Sequence, residues 1–499
     1  MLLGIDLGTT GVKAMVFDED GKPAGYGFQE YDIMCSKAGY AEQDAESLWL
    51  HTKKVICEAA QEAGKYIKGI SVSVQGDAVI PINSKREALA YAQLGMDYRG
   101  TKEVEYCNTT LGGEYLFGKT GMRPHPMNSL IKILWVKNNL PQLYERTFKF
   151  VTYADFILGK LGSDEIVLDY TMASRTMGFN IHTKMWDQEI LSRLDIQQDK
   201  LGRAVPSGEA VGVIDKQLAE ELGIHPGAVL VAGGHDQTCA ALGAGIVHEN
   251  MALDSHGTAE VISTVFQKPH VEQAMYKSFY PCYIHTDPDM YFTFALNHTG
   301  GVLLKWFVDE FCYEDKEAAK AGHKQIYDYL FEKLPEAPSP VLMMPYLNGS
   351  GNPTCDLNMK GAFLGLTMTT TRYDIAKAIL EAQVFEMKLN IHTLKDGNVI
   401  IQELRCVGGG AKSPEGLQLK ANILGMPVST LQIREAACLG AAMLAGAATG
   451  VFENIKQAAQ IVRMDKIYHP QVEIVSLYKD RYFLYQSLYE TLKQTMHSL

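Results

Sequence analysis

The sequence predicts an α/β fold with two domains, and three observations support this prediction. The chain has 499 residues, which at roughly 150 residues per domain is enough for two to four domains. Short apolar runs alternate with stretches of helical periodicity. A strand-turn-strand unit with Gly and Thr in its turn occurs once in each half of the chain. We expect a first domain at residues 1–245 and a second at residues 246–499.

The elements of the first half are expected in the order strand, strand, strand, helix, strand. Apolar runs separated by the turn 8–11 and by the hairpin signal Asp20-Gly21 predict the strands. Helical periodicity with one apolar side predicts the helix. The strands are expected at residues 2–6, 12–18, 23–29 and 70–74, and the helix at residues 45–62.

A second pattern of this kind begins at residue 229. A strand is expected to lead into a turn at Gly233-Gly234-His235-Asp236, and a helix rich in small residues follows that turn. The other elements are expected as strands at 229–232, 251–255 and 259–265, helices at 238–244 and 373–393, and a strand before Gly408. The absence of a short internal repeat argues against a solenoid.

The composition is that of an ordinary globular protein, with 46% hydrophobic residues, 21% charged residues and a net charge of −12. No cluster of Lys and Arg occurs, so neither a nucleic-acid nor a membrane partner is expected. Nine cysteines without a CxxC pair favour reduced thiols and a cytoplasmic location. Asp6 interrupts the apolar N-terminal run, so no signal peptide is expected.

The turn between the first two strands has the composition of a phosphate site. In Asp6-Leu7-Gly8-Thr9-Thr10-Gly11-Val12-Lys13, glycine allows a tight turn with converging N–H groups, and threonine adds hydroxyl donors. A carboxylate at the end of a strand suits Mg²⁺, which prefers oxygen ligands. A plain β-hairpin with glycine in its turn would look the same. The chain has no GxxxxGK[ST] motif and therefore no P-loop.

Two further Gly-rich turns occur in the second half. Ser255-His256-Gly257-Thr258 has the same Gly-Thr character, and two such turns from two domains can hold the phosphates of one nucleotide between them. Gly408-Gly409-Gly410-Ala411 follows a strand-like segment, and its glycines allow close approach to a flat ligand such as adenine. A purely structural turn remains the alternative for both.

Asp236 follows a predicted strand and opens a predicted helix. In α/β folds this position lies at the edge of a ligand-binding crevice. Phosphoryl transfer needs positioning, Mg²⁺ and a base that takes the proton of the attacking hydroxyl, and a carboxylate can be that base. The alternative is an N-cap carboxylate, and one residue can fill both roles.

Two longer stretches point to a known family. Residues 127–139 read MNSLIKILWVKNN, and residues 361–366 (GAFLGL) are followed by Asp374-Ile375 and by residues 378–381 (AILE). With the three Gly-rich turns, these stretches resemble the FGGY carbohydrate kinases of the actin-like ATPase superfamily over nearly the whole chain. The resemblance implies two ribonuclease-H-like domains with an interdomain cleft, the first contacting mostly sugar and the second mostly adenosine.

The resemblance also implies roles for individual residues. Asp236 matches the catalytic base of the family, and Asp6 matches its magnesium-linked aspartate, so that Asp6 and Asp236 hold Mg²⁺ partly through water. The residues expected to contact the phosphates or the rest of the nucleotide are Thr9, Thr10, Lys13, Gly257, Thr258, Gly301, Gly409, Gly410 and Ala411.

The substrate side matches the family less closely. Gln75-Gly76-Asp77 resembles the Gln-Met-His of xylulokinases with two changes, and Asp97 lies in a segment similar to the WxDxR element. The Arg-Glu pair typical of glycerol kinases is missing, and Met127 stands where those enzymes have an aromatic residue. The residues expected to bind the sugar are Gln75, Asp77, Asp97, Asp236 and Gln237.

The expected reaction is ATP-dependent phosphorylation of a hydroxyl of a small sugar, with ATP and Mg²⁺ as cofactors. A ketose fits the xylulokinase-like motifs best: a pentulose such as xylulose, or a related hexulose. The alternative is a polyol or aldonate such as glycerol, erythritol or gluconate, and a remote alternative is an actin-like or chaperone-like ATPase. A homodimer is compatible with the resemblance, since dimers are common among similar kinases.

Overall fold

A computed structural model describes residues 1–64 and 66–499. Within this part of the chain, six strands form a first sheet: β1 Leu2–Leu7, β2 Gly11–Phe17, β3 Pro23–Glu30, β4 Gly69–Val74, β5 Ala210–Val213 and β6 Val229–His235. Their order is β3-β2-β1-β4-β6-β5. β1, β2 and β3 form an antiparallel meander, and β4 and β6 continue the sheet parallel to β1.

A second sheet repeats this arrangement. Its described strands are β7 Asn250–His256, β8 Glu260–Phe266, β9 Tyr283–Ile284, β10 Tyr291–Asn297, β11 Ile401–Gly408, β12 Val428–Leu431 and β13 Met464–Tyr468. Their order is β9-β10-β8-β7-β11-β12-β13. β7, β8 and β10 are antiparallel neighbours, whereas β11 and β12 run parallel to β7. The predicted α/β class with two sheets is therefore confirmed.

Helices surround both sheets. Before residue 250 they are α1 Ala45–Ala63, α2 Thr101–Thr110, α3 Gly113–Thr120, α4 Ser129–Asn139, α5 Pro141–Arg146, α6 Tyr153–Leu161, α7 Tyr170–Arg175, α8 Gln188–Arg193, α9 Lys216–Leu222 and α10 Asp236–Gly243. After it they are α11 Gln273–Lys277, α12 Gly301–Phe311, α13 Tyr313–Ala321, α14 Ile326–Phe331, α15 Arg372–Asp396, α16 Pro414–Leu424, α17 Ala436–Ala448, α18 Ile455–Ala458 and α19 Val472–Ser498.

Short elements complete the described chain. Single turns of 3₁₀-helix lie at Gln198–Lys200, Gly409–Lys412 and Ala459–Ile461. Small paired strands are Glu42–Gln43 with Ala92–Gln93, Ile80–Ile82 with Lys149–Val151, Val167–Asp169 with Arg203–Val205, Phe179–Asn180 with Met185–Trp186, and Leu342–Met344 with Ala362–Leu364. Among the helices of residues 1–64 and 66–499, none is long and apolar enough to cross a membrane.

The segment before Asp236 differs from its prediction. The expected turn at Gly233-Gly234-His235-Asp236 is wrong, because β6 continues to His235, which pairs with Val74 of β4. Gly233 serves close strand packing here, since a Cβ on it would lie 1.7 Å from the carbonyl oxygen of Val72. α10 then begins directly at Asp236.

The two halves meet where α10 and α17 cross. A Cβ on Gly440 of α17 would lie 1.9 Å from the carbonyl oxygen of Cys239, and a Cβ on Gly243 of α10 would lie equally close to that of Ala436. α17 also reaches the first sheet, where a Cβ on Gly4 would lie 1.9 Å from the carbonyl oxygen of Cys438. The division at residue 245 stays a prediction; each sheet lies on one side of it, but α17 returns to the first.

Candidate active site

The first Gly-Thr turn connects β1 and β2. The N–H of Gly8 donates to the carbonyl oxygen of Gly11 at 2.9 Å, which closes the turn, and Thr10 at its tip is exposed. Asp6 lies next to the turn and accepts a hydrogen bond from the Ser73 hydroxyl at 2.7 Å. Burial raises the pKa of the Asp6 carboxyl above its usual value.

Lys13 has a partner from the other half of the chain. Its Nζ lies 2.6 Å from Oε2 of Glu435, the residue before α17. This ion pair connects β2 to the start of α17. Contact of Lys13 with a phosphate therefore stays a prediction. Such a contact requires the ammonium group of Lys13 to bind Glu435 and the phosphate at the same time.

Asp236 stands at the N-terminus of α10, where the helix dipole favours a negative charge. Its Oδ1 accepts from the N–H of Gln237 at 2.6 Å and lies 3.2 Å from Nε2 of His235. Burial, followed by the negative charge of Asp6, raises the pKa of Asp236 to about 7. The charge of Asp6 therefore acts on Asp236, which is poised to exchange a proton near neutral pH.

Asp77 pairs with an arginine that the sequence prediction missed. Nε of Arg175 donates to Oδ1 of Asp77 at 3.2 Å, and Nη2 donates to Oδ2. Both side chains are buried, and Asp77 has a φ of 67°, a strained conformation that tends to occur at functional sites. The two residues are 98 positions apart in a contact that no local motif signals.

Gly76 makes room for this arrangement. A Cβ on Gly76 would lie 2.7 Å from Nε2 of His235 and 2.9 Å from Nε of Arg175. Both side chains therefore depend on a glycine at this position. The change from Met to Gly relative to xylulokinases is thus linked to the presence of two large side chains beside Asp77.

Two buried polar atoms near Asp236 lack partners among the described residues: Nη1 of Arg175 and Oε1 of Gln237. Buried polar groups are nearly always hydrogen-bonded in native proteins. A polyhydroxylated ligand can form hydrogen bonds with both, because Nη1 of Arg175 is a donor and Oε1 of Gln237 is an acceptor. The planar group of Arg175 lies over the rings of Tyr283 and Phe294, at 5.2 and 5.6 Å from their centroids.

Gln75 belongs to a chain of amides that leads back to the first turn. Its Nε2 donates to Oε1 of Gln43 at 3.0 Å, and Nε2 of Gln43 donates to the carbonyl oxygen of Thr9 at 2.8 Å. Tyr153 donates to the same Gln43 oxygen at 3.1 Å. Gln43 was not predicted, and it connects the proposed sugar side to the proposed phosphate turn.

Asp97 is buried with both carboxylate oxygens hydrogen-bonded by the protein. Oδ2 accepts from the N–H of Ala41 at 2.8 Å and from Nη2 of Arg99 at 2.6 Å, while Oδ1 accepts from Nε of Arg99 at 2.8 Å. These contacts favour a role in holding Arg99 and the segment at Ala41. Direct contact of Asp97 with a sugar stays a prediction.

The turns of the second half lie together. The N–H of Gly301 donates to the carbonyl oxygen of Gly257, and the N–H of Gly300 donates to that of Thr258, both at 2.9 Å. A Cβ on Gly408 would lie 2.6 Å from the carbonyl oxygen of His256, so the third turn packs on the second. Ala411 lines a cavity of about 240 Å³ beside residues 430–434.

Comparison with known proteins identifies the family. The N-terminal domain of the FGGY family of carbohydrate kinases matches residues 1–243, and its C-terminal domain matches residues 253–449. The chain belongs to this FGGY family. It is a carbohydrate kinase, a phosphotransferase that acts on a sugar hydroxyl.

The relatives of this FGGY kinase include xylulose kinases and gluconokinases. It is 28% identical to a xylulose kinase of Bacillus subtilis over 99% of this chain and 97% of that protein. It is 29% identical to a gluconokinase of the same organism over 92% and 90%. A ligand-bound xylulose kinase structure from Lactobacillus acidophilus superposes with a TM-score of 0.89 at 26% identity, covering 98% of each chain. The predicted actin-like ATPase fold is thereby confirmed.

The donor set of this FGGY kinase fits a magnesium ion. Asp6 lies in β1 and Asp236 begins α10, and burial raises the pKa of each carboxyl group. Mg²⁺ prefers such hard oxygen ligands and keeps several waters. A cation bound by these carboxylates would offset the cost of burying their negative charges.

Proposed function

We propose that this carbohydrate kinase transfers the γ-phosphoryl group of ATP to a hydroxyl of a small ketose, a pentulose such as xylulose or a related hexulose. The observation that carries the proposal is Asp236: a carboxylate with a pKa of about 7 at a helix N-terminus, beside Asp6. The unpaired polar atoms of Arg175 and Gln237 next to it support a hydroxyl-rich acceptor.

In the proposed reaction, the oxygen of the sugar hydroxyl attacks the γ-phosphorus of ATP, and Asp236 accepts the proton of that hydroxyl. The bond between the γ-phosphorus and ADP breaks, and ADP leaves. Thr9, Thr10, Gly257 and Thr258 bind phosphate oxygens through their N–H and hydroxyl groups. Mg²⁺, held by Asp6 and Asp236 partly through water, would neutralise charge on the phosphates. Gly301, Gly409, Gly410 and Ala411 would lie against the rest of the nucleotide.

A second acceptor class is an aldonate such as gluconate. The unpaired Nη1 of Arg175 favours it, because a guanidinium N–H binds a carboxylate strongly. The similarity to a gluconokinase supports the same alternative. A cytoplasmic location and a homodimer stay predictions.

The test is a panel of acceptors measured by ADP release: pentuloses, hexuloses, polyols and aldonates, each with ATP and Mg²⁺. We expect ADP release to depend on the acceptor and to be fastest with one ketose. Fastest turnover with an aldonate would replace the ketose by the second class. ADP release that is equally fast without any acceptor would instead indicate an actin-like or chaperone-like ATPase.

A further inference from the structure

His256 lies among the three turns that we expect to hold the nucleotide. It is the last residue of β7 and directly precedes Gly257. Its ring touches the third turn, since a Cβ on Gly410 would lie 2.3 Å from its Cγ, and a Cβ on Gly301 would lie 3.9 Å from its Nε2. The imidazole therefore borders the second turn, the third turn and the start of α12 at once.

A buried network holds this ring from behind. Nδ1 of His256 lies 2.8 Å from Oε1 of Glu260, its neighbour across the β7–β8 pair. Nζ of Lys420, from α16, donates to the same Glu260 oxygen at 2.8 Å and to Oδ2 of Asp254. Asp254 and Glu260 are almost completely buried. Although burial opposes it, the charges of Lys420 and His256 lower the pKa of Glu260 to about 2.

The network contains three side chains of metal-binding type, but it does not favour a metal. Oxygen and nitrogen atoms of Asp254, His256 and Glu260 lie within 4.8 Å of one another. The ammonium of Lys420 contacts both carboxylates, so a divalent cation in the same place would be repelled. The cluster is therefore an ion-pair network that fixes the position of the imidazole.

The geometry leaves Nε2 of His256 free for a ligand. Only Nδ1 forms hydrogen bonds with the described residues, and Nζ of Lys420 lies 3.2 Å from it. A proton resides on Nε2 when Nδ1 accepts from Lys420, and also when both ring nitrogens are protonated and Nδ1 donates to Glu260.

We propose that His256 donates a hydrogen bond from Nε2 to a phosphate oxygen of the bound nucleoside di- or triphosphate, and that Glu260 and Lys420 orient its ring for this contact. The inference rests on the proposed function, because it assumes that the surrounding turns bind a nucleotide. It adds a side-chain donor to the backbone donors of Gly257 and Thr258.

Two variants separate this contact from a structural role. His256→Asn keeps an N–H at the place of Nδ1 and can bond Glu260, but it lacks Nε2. His256→Gln carries its N–H near the place of Nε2. Affinities for ADP and for adenosine are measured by calorimetry without sugar. We expect His256→Asn to lower the affinity for ADP about tenfold to a hundredfold, as for the loss of a charge-assisted hydrogen bond. His256→Gln should lower this affinity less. Both variants should bind adenosine with the affinity of the wild type.

His225→Asn, at an exposed histidine of the first half, serves as the control and should bind ADP normally. Equal ADP affinities of wild type and His256→Asn, or equal losses for ADP and adenosine, would overturn the inference. If the wild type binds no ADP at all, the proposed function itself fails.

A measurement on the wild-type chain covers the case in which the variants do not fold. Diethyl pyrocarbonate modifies accessible imidazole nitrogens, and peptide mass spectrometry locates the modified histidine. ADP should slow the modification of His256, whereas adenosine should not. Modification that proceeds at the same rate with and without ADP would contradict the contact.

Discussion

At Asp236, a single carboxylate carries the proposed proton transfer. Asp236→Asn keeps the size of the side chain but removes its capacity to accept the proton. Turnover should fall about a hundredfold or more. The affinity for ADP measured without Mg²⁺ should change little, because the nucleotide turns are untouched. Steady-state kinetics and calorimetry measure the two effects. Turnover near the wild-type value would remove Asp236 from the role of base.

Arg175 was not predicted from the sequence, and the structure places it beside Asp77, where it can contact the acceptor. Arg175→Lys keeps a positive charge beside Asp77 but loses the planar fork and the unpaired Nη1. We expect kcat/KM for the acceptor to fall about tenfold or more, with KM for ATP unchanged. Arg203→Lys, in a half-exposed pair with Glu165, is the control. An equal effect on both substrates would contradict a specific acceptor contact.

Among the elements, the crossing of α10 and α17 leaves little room for a larger side chain. Gly440→Ala would place a Cβ 1.9 Å from the carbonyl oxygen of Cys239, which lies three residues after Asp236. We expect a loss of at least about 1–3 kcal/mol of stability, as for overpacking, and lower turnover as α10 shifts. Gly118→Ala is the matched control, since a Cβ in this helix meets no atom within 4 Å. Chemical denaturation compares both, and equal stabilities would show that the crossing adapts.

The docking of α19 on α15 depends on a buried acid. Glu386 accepts hydrogen bonds from the hydroxyls of Tyr346 and Tyr485, and burial raises its pKa to about 7. Because its pKa is raised, Glu386 holds its proton more tightly in the folded state than in the unfolded state. Protonated Glu386 therefore stabilises the fold fully below pH 4.5, the ordinary pKa of a glutamate. This stabilisation is lost as the pH rises through about 7.

The amide of Glu386→Gln does not ionise. Its melting temperature relative to wild type should therefore be higher at pH 8 than at pH 5.5. Glu473→Gln, at an exposed position in the first turn of α19, should show no such difference. The same relative shift for Glu386→Gln at both pH values would exclude a role of this proton in stability.

The sequence predicts elements well where a local pattern defines them. β1, β2, β3 and α1 lie within one or two residues of the prediction, because each is a single apolar run or a single helical period. The prediction fails at Gly233-Gly234, which continue β6 and do not form a turn; Gly233 allows close packing against Val72. It also misses Arg175 and Gln43, since their contacts depend on segments that are distant along the chain and have no shared spacing.

At the scale of the whole molecule, the two halves meet at the crossing of α10 and α17. The ion pair of Lys13 and Glu435 also connects β2 of the first half to the start of α17. Contacts proposed for one nucleotide come from both halves, so ligand binding should draw the halves together. Small-angle scattering should show a radius of gyration near 23 Å for a compact chain of this length. The radius of gyration should decrease when a non-hydrolysable ATP analogue and the acceptor are both present. An unchanged radius would indicate a preformed closed state.

Gly76 has a consequence for how the specificity of this kinase can change over time. His235 and Arg175 occupy the space that a side chain at position 76 would need. A substitution at 76 alone would therefore collide with both and leave Asp77 badly placed. Both His235 and Arg175 must move or become smaller before position 76 can become larger, so the order of mutations matters. Routes from this pocket to one with Met at position 76 pass through permissive first steps at residues 175 and 235.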